Sequence, residues 1–133
     1  CRVLDFSQEQ GEAVTLEFLK SKNVKQNERV LLKTKNSVQG FKEFYDDYVC
    51  LDGDAADFLA DINVMLVGID SLSIKKRGGE DQRPHTSLLQ KNIPIIEGLD
   101  LSQIAEGEYE LFCLPLKFTD IEGSPARAIL IQR

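Results

Sequence analysis

The run Val64-Met65-Leu66-Val67-Gly68-Ile69-Asp70 decides how this chain is read. It is almost continuously apolar and too short for a buried helix, so it predicts a strand covered on both faces that ends on a carboxylate. Just before it, Ala55, Ala56, Phe58, Leu59 and Ile62 recur at helical spacing, behind Asp52 or Asp54 as a cap. Further back, Arg29-Val30-Leu31-Leu32-Lys33-Thr34 reads as another buried strand and Arg2-Val3-Leu4-Asp5-Phe6 as the first. Between those two, Thr15 predicts an N-cap for a short helix through Glu17, Phe18 and Leu19.

Downstream, Lys75 to Pro84 is polar and Gly-rich and reads as a mobile surface loop. Pro84 suits the first turn of a helix carrying His85, Leu88 and Leu89, with Asn92 near its end. Ile93-Pro94-Ile95-Ile96-Glu97 follows as a short strand, its proline favouring an edge or entry position. Tyr109 to Phe118 and Ala126 to Gln132 flank a turn at Glu122-Gly123-Ser124-Pro125 and predict an antiparallel hairpin. Lys35 to Gly40 reads as a loop, and the aromatic, acidic stretch Phe41 to Leu51 takes no clear assignment. Strand-helix alternation early and a hairpin late predict an α/β domain with a mixed sheet, one unit over residues 1–133.

Composition narrows the function. The 133 residues are 42% hydrophobic, enough for a real core, and carry a formal charge of −6 with a pI near 4.8. Such a surface repels phosphate, which argues against nucleic acid and anionic membranes as partners. No apolar run approaches the roughly 20 residues that span a bilayer, and no basic leader precedes an apolar stretch, so the expected location is the cytoplasm. Cys1, Cys50 and Cys113 are odd in number and lack C-x-x-C spacing, so they read as reduced, buried or incidental. A strand that opens at the first residues predicts that something upstream is removed or carried separately.

His85 is the single histidine. No G-x-S-x-G elbow supports a Ser-His-Asp triad, and nothing around Cys50 or Cys113 signals a lowered thiol pKa. His85 at a helix start and Glu97 at a strand end could grip one ion, but zinc takes three or four ligands. On spacing alone, a surface histidine and a solvated glutamate are the better reading. Lys33, Lys117 and Arg127 carry no expected chemistry; Met65 and Cys113 are expected in the core; Phe44, Tyr45 and Tyr48 could serve core, interface or pocket.

A resemblance changes that balance. Val67-Gly68-Ile69-Asp70, His85-Thr86-Ser87-Leu88-Leu89, Ile93-Pro94-Ile95-Ile96-Glu97-Gly98-Leu99, Tyr109-Glu110-Leu111 with Leu114-Pro115-Leu116-Lys117, and Gly123-Ser124-Pro125-Ala126-Arg127-Ala128 stand in the order found in one family. The chain resembles the C-terminal portion of the cyclase family that includes bacterial kynurenine formamidases and isatin hydrolases. The resemblance implies a swivelling β/β/α fold lacking its N-terminal part, one or two zinc or manganese ions, and hydrolysis of amides or cyclic amides. It implies that His85 and Glu97 are metal ligands, with Asp70 either orienting a ligand or capping the next turn.

The family's upstream H-x-G-T-H-x-D-x-P-x-H segment has no counterpart in this sequence. The resemblance therefore implies a chain that needs that segment for activity and binds metal weakly or not at all alone. Its expected partners are a small amide substrate, the N-terminal segment and further copies in a homo-oligomer. The other reading is a non-catalytic binding or assembly module of the same fold that has lost the metal site.

Overall fold

The computed structural model describes residues 1–40, 43 and 45–132. Strand β1 (Arg2–Asp5) leads through β2 (Ala13–Val14) and helix α1 (Leu16–Ser21) to β3 (Arg29–Lys33). A single helical turn α2 (Asn36–Gln39), strand β4 (Cys50–Leu51) and helix α3 (Gly53–Asp61) then lead to β5 (Leu66–Ile69). Helix α4 (Arg83–Leu89), strands β6 (Ile95–Ile96) and β7 (Gly107–Glu108), and the pair β8 (Glu110–Pro115) and β9 (Ala126–Ile131) complete the order.

The main sheet runs β6-β5-β3-β1-β7, with its first four strands parallel and β7 antiparallel at the edge. Each crossover steps to the adjacent strand in one direction, so right-handed connections stack α1, α3 and α4 on the same face. The helix caps are local: Thr15 Oγ1 accepts the Phe18 amide, and Asp52 rather than Asp54 caps α3, accepting the Asp54 amide.

Strand alternation sorts the apolar residues into two clusters. Leu4, Val30, Leu32, Val67 and Ile69 pack under the helices against Phe18, Leu19, Leu59 and Leu88. Val3, Leu31, Leu66 and Ile96 face the opposite way, toward Leu99, Leu101, Leu111 and Leu130. The β8–β9 ribbon thus forms a second β layer, antiparallel in register from Glu110↔Ile131 to Pro115↔Ala126. Mixed sheet, helical face and hairpin match the expected architecture; a cleft of about 920 Å³ lies between sheet and ribbon.

Several local expectations need correction. Residues 36–39 form a helical turn instead of a loop, because its first residues bond to a carboxylate more than thirty positions away. Strand β2, two residues between the first strand and Thr15 for which the sequence predicts no strand, is held by pairing with β4. Met65, just before β5, is 47% exposed, and Cys113 is half-buried: it shares the inward face of Leu111 but lines the open cleft. Tyr48 is core, Tyr45 partly exposed, and Phe44 lies outside the described residues. Helix α4 stops at Leu89; Asn92, at φ +57°, belongs to the turn beyond it.

Candidate metal centre

Helix α4 enters on Pro84, whose buried ring occupies the first turn where no amide donor is needed. Leu88 is fully buried among the helices, which sets the rotation of α4 and turns His85 toward the end of β6. At that end Gly98 adopts φ +71°, a left-handed backbone that lets its amide reach the Ser71 carbonyl at 2.7 Å. The side chain of Glu97 is thereby brought beside His85: Nε2 and Oε1 are 3.2 Å apart, and each side chain is about one-third exposed, at 34%.

Glu97 Oε1 also accepts the Ile74 amide at 2.7 Å. Ile74 opens the 74–83 loop, which is far from loose. Tyr48 Oη donates to the Lys75 carbonyl at 2.5 Å and accepts the Arg77 amide at 2.6 Å. Burial pushes the Tyr48 phenol above its ordinary pKa. Lys75 Nζ closes the turn on the carbonyls of Lys76 and Gly79. The expected mobile loop is therefore an exposed but tethered one.

Two further groups surround the pair without joining it. Arg83 grips Asp81, Asp54 and Asp57, tying α4 to α3, and these carboxylates push its guanidinium pKa further up. Ser87 Oγ adds a 2.5 Å donation to Asp57. Asp70, fully buried, accepts from the Thr34 amide and hydroxyl, the Asn36 side chain, and the Ser37 amide and hydroxyl. Those bonds hold residues 34–37 against the end of β5. Among the described residues they give Asp70 a structural role and bring it into no hydrogen bond with His85 or Glu97.

Two donors bound to one zinc at about 2.0–2.2 Å stand roughly 3.0–3.5 Å apart, so a 3.2 Å Nε2–Oε1 separation fits an imidazole and a carboxylate sharing an ion. The donor set, one nitrogen and one oxygen, suits zinc or manganese. Among the described residues no cluster of three or more His, Cys, Asp or Glu side chains could hold a metal, and His85 with Glu97 makes a pair where zinc takes three or four ligands. The Ile74 amide and Tyr48 escaped sequence reading: the first is backbone, and the second carries no pattern that distinguishes a tether from core.

No family model matches the chain. Its fold, however, superposes at a TM-score of 0.90 and 33% identity on a protein described as a potential metal-dependent hydrolase with cyclase activity, over 98% of this chain and 63% of that one. A predicted metal-dependent hydrolase from Bacillus stearothermophilus matches equally well, with 62% of its length covered. The scaffold is thus that of the cyclase-like, metal-dependent hydrolases.

In sequence the chain is 34% identical over 129 residues to kynurenine formamidase of Bacillus cereus (strain ATCC 10987), covering 97% of this chain and 60% of the relative. It is 40% identical over 103 residues to that of Salinibacter ruber, covering 77% and 49%. Over nearly its whole length the chain is thus similar to kynurenine formamidases, and it spans about 60% of the length of the curated Bacillus relatives it matches.

Proposed function

We propose that the chain forms part of a metal-dependent hydrolase of amides or cyclic amides, of arylformamidase type, and contributes His85 and Glu97 as ligands to one divalent ion. The observation that carries this reading is the 3.2 Å convergence of the single histidine with a strand-end glutamate, in a chain homologous to kynurenine formamidases. When bound, zinc or manganese supplies Lewis acidity and lowers the pKa of water toward neutrality. Glu97 brings the negative charge and His85 a neutral imidazole, its Nε2 free of a proton when it ligates. Ile74 donates to Glu97 and so limits rotation of the carboxylate.

The proton relay and the remaining ligands belong, on this reading, to a segment matching the length of the relatives that this chain does not span. An amide substrate, that segment and further copies of the chain are the proposed partners, in the cytoplasm. No helix among the described residues is long and apolar enough to cross a membrane. The two-donor set also supports a second reading, a non-catalytic assembly module whose metal site is relict.

Native mass spectrometry of the chain with zinc or manganese, alone and with a segment matching the unspanned part of the relatives, separates the two. Metal held by the wild type and lost in Glu97→Ala supports the hydrolase. Metal absent from every wild-type species, or retained unchanged in Glu97→Ala, supports the assembly module.

A further inference from the structure

Tyr48 is not one of the proposed ligands, yet its hydroxyl meets the loop backbone beside the amide that reaches Glu97. The phenol is 6% exposed and sits between two backbone groups of one loop, the Lys75 carbonyl at 2.5 Å and the Arg77 amide at 2.6 Å. Lys76 Nζ lies 5.1 Å from the centre of the ring, adding a cation–π contact from the same loop. One residue before this clamp, Ile74 gives its amide to Glu97 Oε1 at 2.7 Å, while its carbonyl accepts the Leu51 amide at 2.8 Å.

The Glu97 backbone is placed by β6 and by the bond from the Gly98 amide to Ser71. Its carboxylate has a different anchor, the Ile74 amide, and that amide belongs to a loop containing Gly78 and Gly79. Glycines leave the backbone free to rearrange unless other contacts restrain it. Tyr48 supplies such contacts from the chain entering β4, a buried and unrelated element.

We propose that Tyr48 is a positioning residue: by clamping Lys75 and Arg77 it holds the Ile74 amide on Glu97 and sets the orientation of the carboxylate facing His85. The inference rests on the reading of His85 and Glu97 as metal ligands. Partners that orient a metal ligand change affinity roughly tenfold or more when removed, although they never touch the ion.

The test compares Tyr48→Phe, which deletes only the hydroxyl, with Thr15→Ala, which removes the cap of α1. Two readouts are taken on the purified chain: hydrogen exchange of the Ile74 amide, and titration with zinc followed at the ring signals of His85, the single histidine. The expected result is that Tyr48→Phe speeds Ile74 exchange and weakens zinc binding by roughly tenfold, while Thr15→Ala leaves both near wild type. Unchanged Ile74 exchange in Tyr48→Phe overturns the proposal, as does faster exchange with unaltered zinc affinity, or an equal effect of Thr15→Ala. Zinc that never reaches His85 in the wild type, alone or with a segment supplying the remaining ligands, overturns the ligand reading instead, and the exchange rates still decide whether the clamp exists.

Discussion

His85 Nε2 stands 3.2 Å from Glu97 Oε1, twelve positions away across the connection from α4 to β6. The same carboxylate oxygen receives the Ile74 amide, so the contact with His85 and the loop anchoring meet on one atom. Glu97→Gln keeps an acceptor for Ile74 but removes the charge. Its expected effect is at least a tenfold loss of zinc or manganese affinity, with a stability change under about 1 kcal/mol. Calorimetric titration beside urea denaturation checks it; unaltered affinity would falsify the ligand assignment, and His85→Ala provides an independent check.

Asp70 is a different kind of carboxylate. Fully buried, it satisfies five donors from residues 34, 36 and 37, and Asp70→Asn would turn a donor toward one or more of them. A buried acceptor replaced in this way costs roughly 3 kcal/mol. Urea denaturation should show a loss of that order together with faster amide exchange at Ser37. A loss well below about 1 kcal/mol would mean that α2 is held by something else.

Gly68 tests the packing between the sheet and the second β layer. A Cβ there would lie 2.5 Å from Leu31 Cδ2 and 2.8 Å from Leu99 Cδ1, both in the buried cluster facing β8–β9. Gly68→Ala is expected to destabilise by about 1–3 kcal/mol through overpacking. Thermal unfolding measures it; a neutral outcome would mean that Leu31 and Leu99 move aside freely.

Acid should weaken the fold at the edge where β1 meets the loop before β7. Lys22 holds the Glu106 carboxyl below its ordinary pKa of 4.5, helped by the Asp5 amide. Burial works against the charge of Asp5, but hydrogen bonds from Ser7 and Lys33 outweigh it and lower its pKa too. Both folded values lie below the unfolded ones, so this stabilisation is complete above about pH 4.5 and lost as pH falls through the folded values. The urea midpoint should stay level from neutral pH to about 5 as far as these groups are concerned, then drop, and Glu106→Gln should shrink the drop. An identical acid profile in that variant would remove Glu106 from the account.

Much of this molecule was legible because its signals are local. Thr15 and Asp52 cap helices within three residues of themselves, Pro84 opens α4, and the paired apolar runs at Leu111 and Leu130 declare a ribbon. What escaped depends on partners distant in sequence. β2 is a strand because β4 lies beside it, and α2 is a turn of helix because Asp70 receives its amides. Tyr48 works through the backbone of residues 75 and 77, and no side-chain pattern records a bond to a carbonyl or an amide.

The sequence by itself determined the two-faced strands, the helix caps, the hairpin and the identity of the single imidazole, because alternation, capping and composition are properties of neighbouring residues. Only the tertiary structure decided that the imidazole meets Glu97, that Asp70 instead supports the turn after β3, and that a buried tyrosine reaches the loop anchored on Glu97. Those outcomes turn on the angle at which α4 packs and on hydrogen bonds that span 12 to 36 residues, distances over which local preference carries no information.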